Sequence, residues 1–172
     1  MAQKCVFLDR DGVINGDKVD YVYKIEDIRI LEGVKEALHK LKKEGYLLIV
    51  ITNQSGIDRG IYTENEVFAT HDEIQNRIGK LVDEFYFSPY HRTITASLGM
   101  KPGSLLFEKA ISKHKIDVAN SWMVGDRIRD LIPAEKLGIR TILLDSEYTD
   151  KAEFVGNFAH NLLEATNKFI LN

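Results

Sequence analysis

The feature that most constrains this chain is the alternation of short apolar runs with helix-length amphipathic segments. Cys5–Leu8 is the first such run, and it stops at Asp9-Arg10-Asp11-Gly12. Four apolar residues bounded by charge have the length of a strand buried on both faces. Residues 33–44 then place Val34, Ala37, Leu38 and Leu41 on one helical stripe, and Gly45 follows as a stop signal. Residues 46–51 read as a second buried strand. Thr63-x-x-Glu66 reads as a capping box. It opens a long helix with Val67, His71, Ile74, Ile78 and Leu81 on one stripe. His71 is expected there as a half-buried, hydrogen-bonded histidine rather than a ligand. Further strands are predicted over 84–87, 122–124 and Arg140–Leu144, with a weak one near Phe154. Further helices are predicted over 104–115, capped by Ser104; from about Asp130 to Leu137, with Pro133 in the first turn; and over 161–170. Strands alternating with helices predict an α/β fold of three layers, a central parallel sheet covered on both faces. A chain of 172 residues suits one domain over 1–172.

Composition narrows the function classes. Lys and Arg number 23 against 26 Asp and Glu, a net charge of −3, so no global basic footprint points to nucleic acid. Lys40, Lys42 and Lys43 fall on the polar face of the first helix. The one cysteine, Cys5, cannot form an internal disulfide, which suits a reducing compartment. No run is long enough for a bilayer, and the first is too short for a signal peptide. The expectation is a cytoplasmic monomer with a small-molecule partner, without nucleic acid or membrane.

In parallel sheets ligands bind beyond the carboxyl ends of the strands. Asp9 and Asp11 follow the first strand, and Thr52 and Asn53 the second. Lys101 ends an irregular loop, 88–103, after the third, and Asp126 and Asp130 follow the fourth. Paired carboxylates repel each other and call for a proton or a cation. Hard oxygen donors at such a mouth suit Mg2+. An aspartate can attack phosphorus to form an aspartyl-phosphate. A second acid can protonate the leaving alkoxide and then deprotonate water. A hydroxyl and a lysine can hold the phosphoryl oxygens, and a further aspartate can complete a metal shell. Residues 13–30 open beside the acid pair and could flap over a ligand, partly as a hairpin. Position makes Asp17, Tyr21, Asn53, Arg59 and the 88–100 loop the candidates for binding the rest of the substrate. Readings from other classes are a receiver-like phospho-acceptor, whose acceptor aspartate would follow the third strand, and a binding protein without turnover.

These clusters, in this order, resemble the haloacid dehalogenase superfamily of phosphohydrolases over nearly the full chain. Asp9-x-Asp11-Gly12 matches the first motif, Thr52 the second, Lys101 the third, and Gly125-Asp126-x-x-x-Asp130 the fourth. Phe7-Leu8-Asp9-Arg10-Asp11-Gly12-Val13-Ile14-Asn15 and Thr52-Asn53-Gln54-Ser55-Gly56-Ile57-x-Arg59-Gly60 resemble a narrower branch. That branch holds D,D-heptose 1,7-bisphosphate phosphatase and histidinol-phosphate phosphatase. The resemblance implies Asp9 as nucleophile and Asp11 as general acid/base, with Thr52 and Lys101 on the phosphoryl oxygens. It implies Mg2+ held by Asp9, the Asp11 carbonyl and Asp126, with Asp130 supporting the site from behind. The elements between motifs leave no room for a separate cap domain. Members of the branch usually carry a zinc loop before the third motif; the matching stretch here has His91 but no cysteine, so no zinc is expected. The arginine that the branch places before the motif lysine is Met100 here. The implied substrate is a sugar phosphate or bisphosphate, with histidinol phosphate as the alternative.

Overall fold

The computed structural model describes residues 2–147 and 154–172. Its strands are β1 (Cys5–Leu8), β2 (Leu47–Asn53), β3 (Glu84–Ser88), β4 (Trp122–Gly125), β5 (Arg140–Leu144) and β6 (Asn157–Ala159). They form one sheet in the order β3-β2-β1-β4-β5-β6, and every pairing is parallel. The chain winds outward from β1 through β2 to β3, then resumes on the other side of β1 at β4. The carboxyl ends of β1 and β4 therefore flank the point where the winding reverses, the place where such sheets leave a crevice.

The helices are α1 (Val34–Lys43), α2 (Glu64–Ile78), α3 (Leu105–His114), α4 (Ile128–Lys136) and α5 (Leu162–Ala165), the last continuing as a π-helical turn over Thr166–Ile170. Strand alternation sends Val6, Leu8, Leu48 and Val50 to one face, where α1, α2 and α5 bury their apolar stripes. Cys5, Phe7, Ile49 and Ile51 go to the other, against Leu106, Phe107 and Ala110 of α3 and Leu131 and Ala134 of α4. Both faces being covered explains why the strands read as unbroken apolar runs.

Four expectations shift. β2 runs on to Asn53, because backbone pairing of Thr52 with Phe87 and of Asn53 with Ser88 ignores side-chain polarity. Helix α4 begins at Ile128, since the Asp130 carboxylate reaches back to the Arg127 N–H at 3.1 Å from the third helical position. Pro133 thus lies beyond the first turn, inside the helix. Residues 13–30 form no hairpin: isolated bridges join Asn15 to Asp11 and Ile30, and a short 3-10 turn spans Ile25–Asp27. His71 is 5% exposed rather than half-buried, its ring stacked 4.4 Å from that of Phe85, and its Nε2 meets no hydrogen-bond partner among the described residues. Burial, then the Arg10 charge, holds its pKa down to about 3, so it stays neutral. The Thr63 capping box forms as read, and the strand expected near Phe154 is β6.

The rings of Phe7 and Phe107 meet at 5.2 Å and both are fully buried. Phe107→Ala should cost about 3–5 kcal/mol of unfolding free energy by cavity creation, measured by urea denaturation. A loss below about 1 kcal/mol would contradict the packing of α3 on the sheet.

Candidate active site

The carboxyl edge of the sheet gathers the polar clusters around a cleft of about 650 Å³ lined by Asp9, Asp11, Thr52, Asn53 and Lys101. Asp9 is the first residue past β1, and its N–H donates to the Val124 carbonyl at 3.0 Å, so β4 fixes its start. Its Oδ1 accepts from the Arg10 N–H at 2.7 Å and lies 2.9 Å from Lys101 Nζ. Lys101 Nζ also stands 2.9 Å from Asp130 Oδ1 and donates to the Ile51 carbonyl at 2.7 Å. Burial works against the ammonium charge, but Asp130 and Asp9 outweigh it and raise the Lys101 pKa.

Lys101 is 2% exposed although it comes from a loop. Asn53 holds it there: its Oδ1 accepts from the Lys101 N–H at 2.9 Å and its Nδ2 donates to the Lys101 carbonyl at 3.0 Å. The loop is tied further back where the His91 N–H donates to Asp58 Oδ2 at 2.9 Å. It is turned sharply at Gly103, where a Cβ would meet the Leu98 carbonyl oxygen at 2.2 Å. These hydrogen bonds anchor the loop at His91 and at Lys101.

Asp11 sits differently from Asp9. β1 ends at Leu8, so the two-residue period of a strand does not extend over the pair, and each carboxylate has its own cation. The fully buried Arg10 donates from Nε and Nη2 to Asp11 at 2.9–3.1 Å, and from Nη2 to the Val22 carbonyl at 2.7 Å. Asn15 Nδ2 donates to Asp11 Oδ1 at 2.8 Å, and Gln54 Nε2 to Oδ2 at 3.1 Å. Burial raises the Asp11 pKa against the opposing pull of Arg10 and Asn15.

One carboxylate oxygen from each of Asp9, Asp126 and Asp130 lies within 4.8 Å of the others. Asp126 is pushed up to about 7 by burial, then by Asp9 and Asp130. Burial also raises Asp130, against the pull of Lys101. Gly12 closes over this cluster: a Cβ there would lie 2.3 Å from Asp126 Oδ2. Buried, crowded, hard oxygen donors fit Mg2+, and Lys101 lies equally close, at 2.9 Å, to Asp9 and to Asp130.

The family model for haloacid dehalogenase-like hydrolases matches residues 15–144. The chain is 36% identical to the D-glycero-beta-D-manno-heptose-1,7-bisphosphate 7-phosphatase of Haemophilus ducreyi, over 97% of this chain and 100% of that one. It is also 36% identical to the D-glycero-alpha-D-manno-heptose-1,7-bisphosphate 7-phosphatase of Campylobacter jejuni, over 98% and 97%. The chain belongs to the haloacid dehalogenase-like hydrolases. Its fold matches that of D,D-heptose 1,7-bisphosphate phosphatase from B. bronchiseptica, a structure complexed with magnesium and phosphate, with a TM-score of 0.88 at 24% identity over 96% of this chain and 97% of that one.

Within this haloacid dehalogenase-like site, the remaining positions separate. Asp17 and Tyr21 line the cleft, Asp17 paired with Arg127 at 2.8 Å. Arg59 is exposed outside the lining and donates from Nη1 to the Tyr21 hydroxyl at 2.9 Å. Reading by motif passed over Arg10 and Gln54 as binding groups, although Arg10 stands between the two acids and Gln54 two residues after Thr52. It also passed over Arg127 and Arg129, which line the cleft from the start of α4. Among the described residues, no helix is long and apolar enough to cross a membrane.

The raised acids set a pH dependence for the metal-free protein. Below pH 3.8 Asp126 is protonated both folded and unfolded; between 3.8 and about 7 the unfolded chain ionises first. Its contribution therefore falls as pH rises through that window. Thermal midpoints in chelator should decline over it, and Asp126→Asn should flatten the decline. An identical slope in the variant would refute the burial of this charge.

Proposed function

We propose that the chain is a Mg2+-dependent phosphomonoesterase that removes one phosphate from a sugar bisphosphate of the D-glycero-D-manno-heptose 1,7-bisphosphate type. The observation that carries this reading is Asp9. Its carboxylate lies at the reversal point of the sheet, between the Lys101 ammonium at 2.9 Å and a buried acidic cluster, at a cleft large enough for a sugar phosphate.

In this reading an Asp9 oxygen attacks phosphorus, and the bond from phosphorus to the sugar oxygen breaks. Asp11 gives its proton to the departing oxygen. It then takes a proton from water, which attacks the aspartyl-phosphate, freeing inorganic phosphate and restoring Asp9. Lys101 and the Thr52 hydroxyl hold the phosphoryl oxygens as charge develops on them. Asp9, the Asp11 carbonyl and Asp126 would hold Mg2+, with Asp130 anchoring Lys101 behind them. Magnesium, when bound, polarises the phosphoryl oxygens and offsets the charge of the acids.

The two curated relatives support the substrate class by their names and near-complete coverage. They differ in anomer, beta and alpha, at equal identity, so these two relatives do not choose between the anomers. A cytoplasmic monomer is part of the same proposal.

The test is phosphate release from both heptose bisphosphate anomers, histidinol phosphate and p-nitrophenyl phosphate, with and without Mg2+. A heptose bisphosphate should give the highest kcat/KM, and chelator should abolish it. Faster turnover of histidinol phosphate would overturn the substrate class. Asp9→Asn should leave no turnover, and Asp11→Asn should slow it by ~10²–10⁴. Near-native kcat in Asp9→Asn would exclude the covalent route. Elemental analysis should find no stoichiometric zinc; one zinc per chain would mean that ligands outside residues 88–100 order the site.

A further inference from the structure

A single buried amide touches both the proton-transfer group and the phosphoryl-binding hydroxyl. Gln54 directly follows β2 and is 1% exposed. Its Nε2 donates to Asp11 Oδ2 at 3.1 Å and to Thr52 Oγ1 at 3.0 Å. Its Oε1 accepts from the Tyr62 hydroxyl at 2.9 Å. Both amide hydrogens and the carbonyl oxygen are thereby used. The orientation is fixed: a flipped amide would set its oxygen against the Asp11 carboxylate and its nitrogen against the phenol proton.

The support of this amide is itself rigid. Tyr62 is 4% exposed and stacks on Tyr23 at 5.0 Å, with the Tyr21 ring edge-on at 5.6 Å. A Cβ on Gly56 would lie 2.1 Å from Tyr62 Cε1, so the phenol ring rests on the loop backbone. The Gln54 N–H donates to the Ser88 carbonyl at 2.7 Å, tying the loop to the end of β3.

We infer that Gln54, oriented by Tyr62, is a positioning residue that holds the Asp11 carboxylate and the Thr52 hydroxyl in one fixed relation. The inference rests on the reading above, in which Asp11 transfers the proton. Two consequences follow from the donor arrangement. Thr52 Oγ1 accepts from Gln54, which leaves the hydroxyl proton to donate toward a phosphoryl oxygen. Asp11 Oδ1 is gripped by Arg10 and Asn15, while Oδ2 is held by Arg10 and Gln54. Removing Gln54 therefore loosens one side of Asp11 and lets the carboxylate turn away from the departing oxygen.

The leaving group separates positioning from mere structure. An alkoxide leaves only with a proton, whereas p-nitrophenolate leaves without one. In Gln54→Leu, kcat/KM on the sugar bisphosphate, which reports the step in which the sugar oxygen departs, should fall by about 10²-fold, the low end for losing proton transfer. On p-nitrophenyl phosphate kcat/KM should fall about tenfold less; kcat is not the readout, because both substrates pass through the aspartyl-phosphate whose hydrolysis Asp11 also assists. Tyr62→Phe, which removes one hydroxyl, should shift the ratio of the two rates in the same direction. If Gln54→Leu does not fold, Tyr62→Phe decides alone. Any alkyl phosphate that the wild type hydrolyses serves as the slow-leaving arm, so a wrong substrate class does not blur the result. Equal losses on both substrates, or none, would overturn the positioning role while leaving the phosphatase reading intact. A wild type inactive on every phosphate ester would overturn both.

Discussion

The ammonium of Lys101 is the interaction on which the site depends. Asp9, Asp126 and Asp130 bring three buried carboxylates to one place, where burial and neighbouring charge raise the pKa of Asp126 and Asp130. Lys101 touches two of them at 2.9 Å and spends its third donor direction on the Ile51 carbonyl. Desolvating such a group is repaid only when its partners are complete, and here they are. The arrangement keeps Asp9 next to a cation, which suits the nucleophilic role proposed for it beside a charged phosphate.

The sheet makes this convergence possible. Because the winding reverses between β1 and β4, the residues after those strands become neighbours although they are far apart in the chain. Asp9 N–H bonded to the Val124 carbonyl is the direct expression of that adjacency. Arg10 adds a second, separate charge balance. Its guanidinium lies under Asp11 and reaches the Val22 carbonyl, so the segment leading over the cleft is fastened to the same group that neutralises the acid. Two adjacent acids thus have two different environments, a condition for giving them different chemical tasks.

The sequence made the layers and the motif positions legible because both rest on simple periodicities and on residue type at strand ends. Cys5–Leu8 and Arg140–Leu144 are legible to the residue, since apolar runs bounded by charge mark strands buried on both faces. The end of β2 is hidden from the sequence, because Thr52 and Asn53 are polar and yet pair through their backbone. The start of α4 is hidden for a related reason: Asp130 caps from inside the helix and not from its flank. The bonding of the site was the least legible part. That Asn53 grips the main chain of Lys101, or that Gln54 links Asp11 to Thr52, depends on distances between segments that no local pattern encodes.

The loop before α3 gains an unexpected property from the lysine it carries. Surface loops ordinarily open at low cost and exchange their amide hydrogens quickly. This one cannot lift without drawing Lys101 away from Asp9 and Asp130 and breaking the paired bonds from Asn53. Its fluctuations are therefore bound to the charge balance of the sheet edge. In hydrogen exchange the Lys101 amide should open with the core of β2, not with the exposed segment that precedes it.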